Sequence, residues 1–366
     1  MKQFTLLLTL FMLLMPFTIS AQDDAECDDG FRLVETDEIE VCIPEDIYNV
    51  PYSVDALPAI DPVEFQFELI EANEETLIVR DSFGEKEIPR NPQRIVATVF
   101  MAEPLLRLGI EPVAIIVGPD LTVPEIIEDS GVPLISSGQE VNPEAILSYD
   151  PDLIIGKYFV GDFAPDAYDQ LVTFAPILSP IKNPTSLWRL IIRDLGILFD
   201  KEAEAEEILT EYAINVATLR QEIVQVIPED ETVGVLFFFP GMIMLTSPVF
   251  DFGDGVESTN FAWIYNELGL TFPSDLADLI DVSSAGGMLS LELLPELESV
   301  DHITLFPTAF GSEVTDEFLD AMDSPIWLAL PAVQNEQAYT LTGANAWGIS
   351  SNLQAITDLL GVLTSE

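Results

Sequence analysis

Between Arg94 and Pro180 the chain alternates short apolar runs with short amphipathic segments, and few folds tolerate that pattern. It reads "RIVATVF", "AEPLLRLG" closed by Gly109, "EPVAIIVG", "VPEIIEDSG" closed by Gly131, "VPLISS", "PEAILSYD", "DLIIG", "DAYDQLVTFA" and "PILSP". Apolar strands this short, joined through helices with brief connections, bury both faces as a parallel sheet covered by helices on either side. A long helical stretch follows, from Ser186 to Ile227, interrupted only near Gly196 and Asp200. Its second part, Glu202 to Val226, would make a rod of roughly 37 Å at 1.5 Å per residue. Beyond it "TVGVLFFFP", "FAWIYNELGL", "LELLPELESV", "DHITLFP" and "EFLDAM" resume the alternation, and "NLQAITDLLGVLT" reads as a terminal helix. The expected fold is α/β, with two Rossmann-like lobes, each built on a central sheet, joined by one long backbone helix. The expected divisions are an N-terminal lobe at 76–182, a helical spacer at 183–228 and a C-terminal lobe at 229–366.

Two segments precede the first lobe. Residues 1–21, "MKQFTLLLTLFMLLMPFTISA", carry one cation at Lys2, an apolar run, a Pro16 break and small residues at the end. This is the pattern of a secretory signal peptide, so the mature protein is expected outside the cytoplasm. Residues 22–75 form an acidic extension holding the chain's two cysteines, Cys27 and Cys42. In an exported chain they are expected to form a disulfide, stabilising the fold by about 3 kcal/mol through loop closure. The residues before Cys27 are acidic rather than small and apolar, so no lipid anchor is expected. Within the extension "VETDEIEVCIP" (34–44) matches "VRDSFGEKEIP" (79–89) in length and ending, and both read as hairpins.

Composition excludes several partners. Thirteen Lys and Arg face 64 Asp and Glu, a formal net charge of −51, made one unit more negative by loss of Lys2. Such a field repels nucleic acid and anionic membrane surfaces. Catalytic signatures are missing as well. The single histidine, His302, stands where an apolar strand begins, and no P-loop, GxGxxG or HExxH occurs. "DFGDGVES" offers Asp251, Asp254 and Glu257 as oxygen ligands, but without the spacing of a calcium loop. "AGGM" (285–288) reads as a flexible turn before a helix. Neither an enzyme activity, a resident metal nor a cofactor is expected.

The residues best placed for binding are aromatic. Ligands of open α/β sheets bind beyond the carboxyl ends of strands. There "GKYF" supplies Lys157, Tyr158 and Phe159 in the first lobe, "FFFPGMIM" supplies Phe238, Phe239 and Met242 in the second, and "TGANAWG" adds Trp347. No Lys or Arg follows Arg220, so the second lobe brings no cation to a ligand. This favours a neutral or weakly charged ligand held by aromatic contact, with Lys157 as the best placed cation.

One unit occurs twice: "VNPEAILSYDPDLIIG" (141–156) and "LSLELLPELESVDHITLF" (289–306) each run from a capping residue through a first-turn glutamate to a strand. Asn142 and Ser290 suit the N-cap, and Glu144 and Glu292 complement the helix dipole. Together with "GEKEIPRNPQRIVA", "LLRLGIEPVAII", "YDQLVTFAPIL", "IYNELGL" and "WLALPAVQNEQAYTL", these units occur in the order of the motifs of a known family. From about residue 76 to its end the chain resembles the extracytoplasmic substrate-binding proteins of iron-siderophore and cobalamin ABC importers. The resemblance implies a monomeric, non-catalytic protein that holds a small metal chelate between its lobes and hands it to a permease dimer. In this family a glutamate on each lobe docks onto permease arginines, and the matching positions are Glu144 and Glu292. Some hydroxamate and catecholate binders place an arginine before the first glutamate motif; here Gln139 occupies that area. A ferric siderophore is the expected ligand and cobalamin the alternative; haem is less suited to a chain with one histidine. An extracytoplasmic enzyme, or a surface-interaction module carried by the extension, is the reading from a different class.

Overall fold

The computed structural model describes residues 27, 29–35, 39–48, 57–59, 63–118, 123–136, 142–156, 165–182, 187–228, 230–251, 256–259, 262–284, 286–307, 314–341 and 349–364. The expected signal peptide lies outside the described residues. The extension opens with an antiparallel hairpin, β1 (Phe31–Glu35) and β2 (Glu40–Pro44), closed by the Cys27–Cys42 disulfide with Cα atoms 5.7 Å apart. A second antiparallel sheet holds β3 (Glu68–Ala72), β4 (Thr76–Asp81) and β5 (Gly84–Pro89). Both hairpins read from the sequence are formed, and the second sheet spans the division expected at residue 75.

The N-terminal lobe follows in the expected alternation: β6 (Ile95–Thr98), α1 (Val99–Arg107), β7 (Ala114–Val117), α2 (Glu125–Ser130), β8 (Leu134–Ser136), α3 (Pro143–Leu147), β9 (Leu153–Ile155), α4 (Pro165–Leu171) and β10 (Ile177–Leu178). The five strands pair in parallel in the order β10-β9-β6-β7-β8. Every residue of β6, β7 and β9 is buried, as a sheet covered on both faces requires. Two helices then form the spacer, α5 (Trp188–Leu198) and α6 (Glu202–Ile223). The latter ends three residues before the expected Val226, and it buries Ala205, Leu209, Tyr212, Val216 and Ile223 along one stripe.

The C-terminal lobe departs from simple alternation. Its elements are β11 (Val233–Phe239), β12 (Met242–Thr246), β13 (Val249–Asp251), β14 (Val256–Ser258), α7 (Trp263–Asn266), β15 (Gly286–Ser290), β16 (His302–Phe306), α8 (Asp316–Met322), α9 (Pro331–Gln334), β17 (Ala338–Thr340) and α10 (Ile349–Thr364). The sheet order is β15-β12-β11-β16-β17, with β12 antiparallel to both its neighbours. A two-residue turn causes the reversal: Phe239 pairs with Met242 across Pro240 and Gly241, and Gly241 takes a φ of +78° that favours glycine. Of the "AGGM" stretch, expected as a flexible turn, Gly286, Gly287 and Met288 belong to β15 and Ala285 lies outside the described residues. A Cβ on Gly286 would stand 2.3 Å from the Leu245 carbonyl oxygen, and one on Gly287 would stand 2.1 Å from that of Leu279. These glycines serve close backbone packing rather than mobility.

Strand alternation sorts the side chains into cores. Ile95, Ala97, Leu153 and Ile155 from the first sheet share one continuous core with Val233, Val235 and Phe237 from the second, through α5, α6 and α10. Their neighbours in sequence face away. Val96, Ile116 and Ile154 fill a core private to the first lobe, while Leu236, Phe238 and Ile243 fill one private to the second. The extension joins the shared core, since Val41, Ile43 and Phe67 are buried in it and β2 lies on α6. Asp194 on α5 fixes the extension further by accepting the Gln66 and Phe67 amides at 2.5 and 3.0 Å and pairing with Arg193.

Replacing Cys27 and Cys42 by serine is expected to lower the unfolding free energy by about 3 kcal/mol in chemical denaturation; an unchanged midpoint would leave the hairpin's packing as its whole contribution. Burial raises the Asp194 pKa above 3.8, against the opposing pull of the Phe67 and Gln66 amides and Arg193. Between 3.8 and the raised value the folded state binds this proton more tightly than the unfolded state. The contribution of this group to stability therefore falls as pH rises through that window. Asp194→Asn should remove that slope from a pH series of unfolding midpoints.

Candidate functional site

The strand orders locate the crevice. In the first sheet the winding reverses between β6 and β9, and in the second between β11 and β16; ligands of open α/β sheets sit beyond the carboxyl ends at such reversals. Thr98 ends β6 there, and Gly156 follows β9 beside it. A Cβ on Gly156 would stand 2.3 Å from Thr98 Cγ2 and Oγ1, so the two strand ends approach this closely only with glycine. Thr98 occupies the N-cap position of α1 yet makes no cap bond, and its Oγ1 is buried without a hydrogen-bond partner.

On the second lobe the register lays Phe306, Phe237, Met244 and Met288 side by side across four strands, with Phe239 and Met242 in the adjoining row. The Phe237 and Phe306 rings stack at 4.7 Å and are buried. Exposure rises along the rows, with Met288 at 43% and Met242 at 41%. The face that α7 and α10 help bury at the amino end of β11 is thus open and apolar at its carboxyl end. Phe238 points the other way: it is 4% exposed and packs edge-on against Phe318 in the private core, because adjacent strand residues occupy opposite faces. This corrects the expectation that Phe238 and Phe239 share a wall. Lys157, Tyr158, Phe159, Trp347 and Gln139 lie outside the described residues. The methionines at 244 and 288 were missed by the sequence reading, since only the pairing of β12 with β15 brings them beside Phe237.

Two polar clusters tie the first lobe and the spacer to the second lobe. Glu103 on α1, 3% exposed, accepts the Ser350 amide at 2.9 Å and the Ser350 hydroxyl at 2.7 Å, while Arg107 reaches both Glu103 at 2.9 Å and Ser350 Oγ at 2.8 Å. The carboxylate thereby holds the start of α10, where the exposed backbone amides favour negative charge. Deeper in the hinge, Arg189 pairs with Glu267 at 2.8 Å and lies over the Trp188 and Tyr212 rings, and Tyr212 donates to Glu267 at 2.7 Å. Burial and then the Glu267 charge hold the Tyr212 phenol well above its ordinary pKa, so it stays a neutral donor. Burial alone would lower the Arg189 pKa, but Glu267 and Tyr212 outweigh it and raise it.

The duplicated units present both glutamates to solvent. Asn142 Oδ1 accepts the Glu144 amide at 3.0 Å and the Ala145 amide at 3.3 Å, capping α3 as expected. Ser290 precedes a 3-10 stretch, Leu291–Leu297, and makes no side-chain cap bond, so the second unit repeats the glutamate without the helix type. His302 is buried at the amino end of β16, away from the crevice end, between Glu231 at 2.5 Å and Tyr339 at 3.1 Å. Asp254 and the Glu257 side chain lie outside the described residues. Among those described, no group of three His, Cys, Asp or Glu could hold a metal ion, and no helix is long and apolar enough to cross a membrane.

Residues 96–344 match the family model described as periplasmic binding protein. The chain belongs to the periplasmic binding protein family. The matched span covers both sheets and the spacer, and the model begins inside β6. Among curated relatives, the ferric enterobactin-binding periplasmic protein FepB of Escherichia coli is 26% identical over 279 residues, covering 72% of this chain and 83% of that one. The probable siderophore-binding lipoprotein YfiY of Bacillus subtilis is 24% identical over 298 residues, covering 79% and 87%. Among solved structures, the FhuD protein from S. pseudintermedius superposes with a TM-score of 0.60 at 19% identity, covering 80% of this chain and 99% of that one. These relatives are binding proteins rather than enzymes.

Glu103→Ala is expected to cost about 2–3 kcal/mol, because charge-assisted hydrogen bonds are lost at a buried site. Amide hydrogen exchange would report it most directly, with faster exchange at Ser350 and the following turn of α10. Unchanged exchange there would show that the cluster does not hold the helix.

Proposed function

We propose that this protein captures a ferric siderophore, or a related iron chelate, in the crevice between its lobes and delivers it to an ABC importer. The observation that carries this reading is the match to the periplasmic binding protein family across both lobes, joined to a curated relative named for binding ferric enterobactin. The geometry supports it. Each sheet has a winding reversal, the place where ligands of open α/β sheets bind, and the core shared by the two sheets favours small adjustments of the lobes over wide opening. The single histidine is held at the opposite end of its strand, away from the crevice.

Glu144 and Glu292 are the proposed contacts to the two halves of the permease dimer, one glutamate per lobe of a monomer. Both are exposed in the first turn of equivalent units, with no packing role that would require a carboxylate there. Release as an exported protein without a lipid anchor is supported by the disulfide, which leaves Cys27 no thiol for acylation.

Tryptophan-fluorescence titration with ferric siderophores, haem and cobalamin tests the capture reading: a saturable response to a ferric siderophore is expected. A response to cobalamin alone would transfer the protein to that ligand, and silence across the panel would refute capture. Glu144→Ala combined with Glu292→Ala should leave ligand affinity intact while reducing uptake in a cell that depends on this protein. Normal uptake by that double variant would remove the docking role.

A further inference from the structure

The capture reading leaves the charge of the chelate open, and the distribution of cations decides it. A ferric ion held by three bidentate hydroxamates is electroneutral, because each group contributes one negative charge. Held by three catecholates, the same ion becomes trianionic. Burying a multiply charged anion is costly unless fixed counter-charges meet it. Proteins that take such ligands need several cations on the crevice walls.

This chain has none to give from its second lobe, since no Lys or Arg follows Arg220. Most cations described in the extension, the first lobe and the spacer are held in ion pairs of their own. Arg80 lies between Glu68 and Glu85, Lys86 closes on buried Asp81 at 2.7 Å, Arg90 pairs with Asp200, and Arg193 pairs with Asp194. Arg107 belongs to the Glu103 cluster, and Arg189 to the Glu267 cluster in the hinge. Lys157, which follows Gly156 in the sequence, lies outside the described residues, and Lys182 follows the carboxyl end of β10; these are the two cations that the chain order places toward the crevice. Two ammonium groups cannot neutralise a trianion, and the net charge of −51 adds a field of the same sign as such a ligand.

What the second lobe does offer is the open apolar face of Phe239, Met242, Met244 and Met288. Thioether side chains are polarizable and conform to irregular shapes, which suits the organic shell of a chelate whose charge is cancelled within it. From these observations we infer that the ligand is an electroneutral ferric chelate of the tris-hydroxamate class, seated on the methionine–phenylalanine face at the carboxyl end of β11. The inference rests on the capture reading and narrows it. It also separates this protein from its FepB relative, whose named ligand is a tris-catecholate.

The test compares ferrichrome, a neutral tris-hydroxamate, with ferric enterobactin in one fluorescence titration of the mature protein. Ferrichrome should bind at least about 100-fold more tightly, the difference that uncompensated ligand charge imposes. Its Kd should change by less than about threefold between about 0.1 and 1 M salt, where the Debye length falls from about 10 to about 3 Å. Tighter binding of ferric enterobactin would overturn the inference while leaving siderophore capture standing, whereas binding of neither chelate would bring down both. Met242→Ala with Met288→Ala tests the seat, since both side chains are well exposed and their truncation should leave Tm unchanged. Ferrichrome affinity should drop about tenfold from the lost apolar contact; full affinity in that variant would show that the chelate does not sit on this face.

Discussion

Everything else in this molecule hangs on one continuous apolar core that both lobes share across α6. A strand exposes alternate residues to opposite faces, so each sheet contributes one set to that common core and the other to a core of its own. Ile95, Ala97 and Ile155 of the first sheet and Val233, Val235 and Phe237 of the second belong to this one core together with Leu209, Tyr212 and Val216 of α6. Wide separation of the lobes would expose this surface to water. The hinge is therefore a packed helix rather than a flexible linker, and the Arg189–Glu267–Tyr212 cluster fixes it through hydrogen bonds whose partners are already desolvated.

The acidic extension takes part in the same construction. Val41 and Ile43 alternate with exposed or half-buried neighbours on β2, and their burial, with β2 lying on α6, makes the disulfide hairpin a cover for the spacer. Asp194 reaches from α5 to the amides of Gln66 and Phe67 and ties the end of the extension to the helix beneath it. Residues outside the family match thus stabilise the element on which the family's two-lobed architecture depends.

At the crevice, topology and charge act together. The winding reversals bring Thr98 beside Gly156 and leave Phe239 and Met242 at the rim of the second sheet. The chain as a whole is strongly acidic, and most of its described cations are held in local ion pairs. A ligand that met such a site would be held through shape and dispersion more than through Coulomb attraction.

Much of this was legible in the residues. The first lobe followed from its apolar runs, because strands buried on both faces leave an unbroken apolar signature, and Gly109 and Gly131 marked helix ends through their positive φ. The pairing of Cys27 with Cys42 was read from type and position alone. The second lobe was harder. A strand that turns back antiparallel after β11 looks locally like any other apolar run, and Gly286 and Gly287 look like a loop until the carbonyls of Leu245 and Leu279 close in on them. The sequence by itself determined the fold class, the charge field and the absence of cations beyond Arg220, since these are properties of order and composition. Only the tertiary structure decided that Phe238 is core, that Met244 and Met288 join Phe239 and Met242, and that Glu103 grips Ser350 across 247 positions of chain. Strand pairing and side-chain facing depend on neighbours distant in sequence, and no local pattern encodes them.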